Sequence, residues 1–289
     1  MRGDRVEVMV HEPFLAFGEG SLRQNGAAIV HRLMTAIILR AASRVWVSTP
    51  AWGEMWRPYA FGRRVRIEWL PVPSTVPFVE DSARTAHVRE LYIKQPGGLL
   101  IGHFGTYSPH IAEQLKAALP VVLTRDASAS VLLLGRGSER LREENLRDQT
   151  ALGERVSATG ALDARELSAH LAACDLVVQP FPDGVTTRRT SVMAALAHRL
   201  PVLTTAGRLT EPLWAESRAV ALAPACDAAA LADAACRLLA DDVQRTRLAA
   251  AGLALYRERF RIARTIAALR RAPESERAPR AALSPEAKI

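Results

Sequence analysis

Short runs of β-branched and leucine residues alternate with longer Ala- and Leu-rich segments along most of this chain, which restricts it to an α/β architecture with parallel strands. A strand buried on both faces reads as a continuous apolar run, and the helix between two such runs is the crossover. In the first part, Arg5 to Val10 predicts a strand ending at His11-Glu12-Pro13. A helix follows over about 27–44, then a strand at Val45–Thr49, a short helix over 51–59 and a strand at Val65–Leu70. Residues 72–98, with their prolines and a glycine pair, read as a connector holding at most one short helix. A second unit opens with the strand Leu99-Leu-Ile-Gly-His-Phe-Gly. It continues with a helix through 111–116, a strand from Ser130, a polar helix over 138–151 and a strand over 156–160. Helix 167–173, strand 175–179, helix 188–198 and strand 201–205 come next. A last strand at Val220, helices over 228–239 and 243–256 and a closing helix over 260–269 end the pattern.

At 289 residues, about half of them apolar, a chain of one or two soluble domains is expected. No window approaches the roughly 18 consecutive apolar residues of a membrane span. Residues 1–7 lack the apolar core of a leader peptide, so the expected location is the cytoplasm. The three cysteines, Cys174, Cys226 and Cys236, have no metal-like spacing and read as buried thiols. No acidic pair or His/Cys cluster suggests a metal site, so neither a metal nor another cofactor is expected. The net charge of +8 invites a nucleic-acid reading. Against it, the basic residues are dispersed, nearly all are arginine, and no recognition-helix or stacking motif accompanies them. No nucleic-acid partner is expected; a positive face could instead favour anionic lipid headgroups, with peripheral contact at the inner face of the plasma membrane, or phosphorylated substrates, and charge alone does not choose among these.

The segment richest in chemistry runs from Pro180 to Thr205, PFPDGVTTRRTSVMAALAHRLPVLTT. A loop after one strand opens into a helix beside Arg188 and Arg189, with hydroxyls at Thr186, Thr187, Thr190 and Ser191. The first helical N–H groups lack intrahelical partners and the helix dipole is positive there, so a phosphate could bind. The two guanidinium groups add planar, bidentate donors. The plain alternative is a surface loop capped by Thr187 or Thr190 with both arginines solvated. Two further loops follow strands. Gly105 and Thr106 could bring backbone amides against a diphosphate, and Gly135-Arg136-Gly137 repeats the arrangement. Arg136 is a candidate phosphate or base contact.

Asp183, Gly184, Thr186, Arg188, Arg189 and Ser191, followed by Leu200-Pro201-Val202, resemble the donor-site loop of the retaining GT-B glycosyltransferases (glycosyltransferase family 4-like, or group 1), in a bacterial branch. The resemblance covers about 8–269 and is strongest over 101–205. It implies a GT-B-like fold, with a whole C-terminal Rossmann-like domain over 99–270 and a partial N-terminal one over 1–75. Residues 76–98 would connect them and 271–289 form a disordered tail. It further implies transfer of a hexose from a nucleotide-diphosphate sugar to a glycan or lipid-linked acceptor, in cell-envelope polysaccharide synthesis. Arg188, Arg189, Thr190, Ser191, Gly184, Asp183, Gly105, Thr106 and Arg136 would bind the sugar-nucleotide, and Gly160 would lie beside its base. His11 would face the sugar and Glu12 the acceptor. The family's two glutamates, eight positions apart, fall here on Thr186 and Ala194, and its turn glycine on Arg199. Arg199 is therefore expected in a left-handed conformation that glycine adopts more readily. With both glutamates absent and the N-terminal unit short, a nucleotide-sugar-binding, truncated or non-catalytic subunit is the alternative.

Overall fold

The computed structural model describes residues 6–15, 17–18, 21–145 and 153–271. Two all-parallel sheets organise the chain. The smaller has the order β1-β2-β3, built from β1 (Glu7–Val10), β2 (Arg44–Val47) and β3 (Arg66–Trp69). Helix α1 (Leu22–Ala41) crosses from β1 to β2, and α2 (Pro50–Trp56), extended by a tight turn over Arg57–Ala60, crosses to β3. Helix α3 (Ser82–Tyr92) is the single helix of the connector.

The larger sheet has the order β6-β5-β4-β7-β8-β9. Its strands are β4 (Leu100–Phe104), β5 (Ser130–Leu134), β6 (Val156–Ala158), β7 (Leu176–Gln179), β8 (Val202–Ala206) and β9 (Ala221–Pro224). The crossover helices are α4 (Pro109–Arg125), α5 (Ser138–Asn145), α6 (Ala164–Ala172), α7 (Thr190–Ala197) and α8 (Pro212–Ser217). Helices α9 (Ala228–Ala240), α10 (Asp242–Leu255) and α11 (Ile262–Leu269) close the chain. Strand order reverses at β4, which lies between β5 and β7. Loops leaving the carboxyl ends of those strands diverge there and open a crevice, the usual ligand position in such sheets. The architecture is the α/β, GT-B-like one expected.

Three local differences have physical causes. Helix α1 starts at Leu22, not near residue 27, because Ser21 caps it by accepting from the Gln24 N–H. The polar run Arg23-Gln24-Asn25-Gly26 hid that first turn from an apolar-periodicity argument. Helix α4 runs through Pro120, and its buried face of Ile111, Leu115, Leu119 and Val122 carries it past the lost hydrogen bond. Helix α8 was not anticipated; its one buried residue, Trp214, gives no periodicity to read. Of the cysteines only Cys174 is buried, and burial pushes its thiol up to about 12. Cys226 is exposed, at a turn with φ 61°, so the expectation of three buried thiols fails there. The rest of the expected polar helix, 146–151, and the expected tail after 271 lie outside the described residues.

Candidate functional site

A cleft of about 440 Å³ opens at the strand-order reversal. Gly105 and Thr106 line it from the end of β4, Gly135 and Arg136 from β5, Gln179 and Phe181 from β7, and Arg188 to Ser191 from the start of α7. The structure thus brings seven sequence-predicted residues to one place: Gly105, Thr106, Arg136, Arg188, Arg189, Thr190 and Ser191. No side chain caps α7, whose N-terminus faces the cleft through Thr190 and Ser191.

The two arginines are not solvated. Only 15% of the Arg188 side chain is exposed. Its guanidinium pairs with Glu12 at the end of β1, while its Nε is buried without a hydrogen-bond partner. Arg189 packs over the Phe181 ring at 4.3 Å, and its Nε is likewise buried and unpartnered. Burial, with the adjacent charge of Arg188, holds the Arg189 guanidinium down to about 10. It remains a cation at neutral pH, desolvated beside another cation, and among the described residues it forms no ion pair. Desolvated like charges side by side are costly unless an anion joins them.

The other predicted residues sit elsewhere. Asp183 pairs with the exposed Arg208 at the loop's outer edge and does not line the cleft. Gly184 has φ 86° and backs onto the Gly207 backbone, so a Cβ there would collide; its place is a tight turn behind the loop. Gly160 is also outside the lining: its carbonyl accepts from the Gly135 N–H, its N–H donates to Ser138 Oγ, and Ala161 and Leu162 reach the cleft in its place. His11 is exposed on the smaller sheet, and its carbonyl accepts from Ser48 and the Trp52 indole. The positions that resemblance assigns to two glutamates hold a buried Thr186, its hydroxyl unpartnered, and a fully buried Ala194.

Three residues were missed by sequence reasoning. His103 is buried at the cleft floor, where its Nδ1 meets the Val178 carbonyl at 2.8 Å. A carbonyl only accepts, so Nδ1 carries the proton and Nε2 is a bare acceptor, without a partner. Burial lowers this imidazole to about 4, so it is neutral near pH 7. Gln179, next to it, donates to the Phe104 carbonyl and accepts weakly from Ser191. Glu211, at the start of α8, is buried and binds Thr187 just before the two arginines. An imidazole or carboxamide at the carboxyl end of a buried apolar strand was the available signal for the first two. Glu211 is 24 residues from Thr187 and had no sequence signal.

Residues 98–241 match the family model described as Glycosyl transferases group 1. This supports that family, with the GT-B fold, for the segment that builds the cleft. No curated protein matches the chain. Among solved structures, the fold is similar to sucrose-phosphate synthase from Thermosynechococcus elongatus, at a TM-score of 0.69 and 19% identity over 91% of this chain. The chain spans 65% of that synthase's length. It is similar also to HepE of Anabaena in complex with UDP and glucose (TM-score 0.68, 18% identity, 92% of this chain and 70% of that one). WaaG, a glycosyltransferase of lipopolysaccharide biosynthesis, gives 0.58 at 14% identity, covering 92% of this chain and 90% of WaaG. At these identities the likeness is one of fold. Among the described residues no group of three or more His, Cys, Asp or Glu could hold a metal ion, and no helix is long and apolar enough to cross a membrane.

Proposed function

We propose that this protein is a retaining hexosyltransferase that takes its sugar from a nucleotide diphosphate and passes it to a polysaccharide or lipid-linked acceptor. One observation carries the reading: two adjacent guanidinium groups are desolvated at one cleft, each with a buried, unpartnered Nε–H. A diphosphate entering the cleft would supply the anion that two desolvated guanidinium groups call for, and the uncapped start of α7 adds backbone N–H groups. Gly105, Thr106 and Arg136 line the same cleft and would add to the anion's surroundings. As the anomeric C–O bond breaks, charge grows on the departing phosphate oxygen, and these fixed cations and dipoles stabilise it without a metal ion. The acceptor oxygen forms the new bond to the anomeric carbon, and its proton leaves with the diphosphate. His11 and Glu12 serve the acceptor side. Nucleotide-binding residues fall within 99–270 and acceptor-side residues within 1–75, joined by 76–98. The setting is bacterial cell-envelope synthesis on the cytoplasmic side, with peripheral contact to anionic lipid.

The absence of carboxylates at 186 and 194, and the engagement of Glu12 with Arg188, favour a second reading. In it the chain binds a nucleotide sugar but does not transfer it unaided. Titration calorimetry with UDP, GDP and ADP tests what both readings share. The wild type should bind at least one, and the double variant Arg188→Ala/Arg189→Ala should weaken it by roughly 3 kcal/mol, about a hundredfold, for two charge-assisted contacts. Unchanged affinity in a folded double variant overturns the assignment. Transfer to an acceptor by the isolated chain then separates the first reading from the second.

A further inference from the structure

Glu211 is 6% exposed, and among the described residues it has no cationic partner. Every group around its carboxylate donates. One oxygen accepts from the Thr49 hydroxyl at 2.8 Å, the Thr187 hydroxyl at 2.8 Å and the Thr187 N–H at 3.1 Å. The other accepts from the Trp214 indole at 2.8 Å and the Thr187 N–H at 3.2 Å. Both carboxylate oxygens are thereby met by hydroxyl, indole and backbone N–H groups of Thr49, Thr187 and Trp214. Such bonds make burial of a carboxyl group tolerable, because a polar group buried without them is costly.

Thr187 is the residue this shell is built around. Its hydroxyl also lies 2.8 Å from the Ser48 carbonyl and accepts from the Trp69 indole at 3.0 Å. Its own carbonyl accepts from the Val72 N–H at 3.1 Å. The single hydroxyl proton is shared between two acceptors, Ser48 and Glu211, so the Thr187 N–H is the contact that Glu211 alone satisfies. The next two residues are Arg188 and Arg189. Arg188 is ion-paired with Glu12 but Arg189 has no such partner and lies beside the Arg188 charge, and a free loop would relieve that by turning Arg189 outward.

We propose that Glu211 is a positioning residue for the nucleotide site. By clamping Thr187 it holds the loop so that Arg188 and Arg189 face the cleft before any phosphate arrives, and through Thr49 it ties that loop to the smaller sheet. This rests on the cleft being a diphosphate site. The arrangement is preorganisation in the ordinary sense: the cost of confining two like charges is met during folding and not during binding.

The test uses Glu211→Gln and Thr187→Val in the full chain, with whichever of UDP, GDP and ADP the wild type binds. Glutamine turns an N–H₂ group toward the surrounding donors, so the clamp loosens although size is conserved. In folded protein, checked by circular dichroism and a melting temperature above that of the assay, Glu211→Gln should raise Kd roughly tenfold. Thr187→Val removes the hydroxyl arm together with its bonds to Ser48 and Trp69, and should raise it about threefold. A residue that merely stabilises the fold would lower the melting temperature and leave Kd of the folded protein alone. That result in both variants overturns the proposal. Should Glu211→Gln fail to fold, Glu211→Asp, which keeps the carboxylate but draws it back from Thr187, takes its place in the same assay. If the double arginine variant also binds normally, the diphosphate reading has failed; if it loses binding while these two do not, only the role of Glu211 has.

Discussion

The larger sheet is enclosed and the smaller one is not. All residues of β5 and β7 are buried, and one continuous core joins them to α4, α7, α9 and α10. In the smaller sheet only β2 is buried throughout; β3 is exposed at both ends and half-buried between them, and the sheet's core cluster is built on Val10, Leu39, Val45, Val47, Trp52 and Trp56. Ile29, Val30, Leu33, Met34 and Ile37 of α1 are each more than half exposed. Where the two halves meet near the cleft, hydrogen bonds and an ion pair join Thr187 with Ser48 and Trp69, Glu211 with Thr49 and Arg188 with Glu12, beside an apolar contact of Leu209 with the smaller core. The nucleotide cleft thus owes its shape to a close-packed core, while the seam beside it is held by bonds with which a ligand or water can compete.

The largest expected effect follows from that contrast. Leu132→Ala, at a fully buried site in β5, should cost about 3–4 kcal/mol through lost burial and the cavity left behind. Leu33→Ala, at a side chain 61% exposed on α1, should fall within about 0.5 kcal/mol. Urea denaturation of both variants measures the difference. Comparable losses would break the comparison, and would mean that the α1 face is covered in solution.

Acid should act on the enclosed half first. The His103 imidazole sits near 4 in the folded protein because burial disfavours its charge, against about 6.5 for an unfolded chain. Between those values the unfolded chain holds the extra proton, so stability falls as pH drops from 6.5 toward 4. The full window is worth roughly 3 kcal/mol for this one group. Burial shifts His198 in the same direction. Stability measured from pH 7 to 4.5 should therefore decline, and His103→Leu should flatten the decline. An unchanged slope in that variant would show that His103 is not protected from protonation.

Much of this was legible in the sequence, for reasons the comparison makes plain. Strands buried on both faces announce themselves as apolar runs, so the larger sheet, the loop after β7 and the convergence of Arg188, Arg189, Arg136 and Gly105 could be read from the order of elements alone. What could not be read depends on long-range pairing. The contact of Arg188 with Glu12 joins residues 176 apart, and nothing local marks Glu12 as its partner. Gly184 was expected in the donor loop and Gly160 beside the nucleotide base, yet each has a positive φ that a tight turn requires, a demand that leaves the same residue in the sequence. Pro212 after Glu211 is a familiar helix start, and it would have found α8 had the first-position proline been weighed above the missing periodicity.

The smallest effect concerns a turn in the enclosed half where sequence and backbone disagree. Arg199 has φ 56°, the left-handed conformation expected of it. The Arg199 N–H donates to the Leu196 carbonyl and the Leu200 N–H to the Ala195 carbonyl, which together form the closing hydrogen bonds of a Schellman motif at the end of α7. Buried Leu200 anchors the motif from the next position, so the strained backbone is fixed by packing and not by the arginine. Arg199→Gly removes the left-handed penalty and should stabilise the protein by roughly 0.5–1 kcal/mol. Two effects oppose this: glycine loosens the unfolded chain, and the arginine charge favours a helix C-terminus. Arg199 is exposed, so its charge is screened, and relief of strain is the larger effect. Urea denaturation in which the glycine variant is equally or less stable would show that the enclosed half tolerates this strain at no net cost.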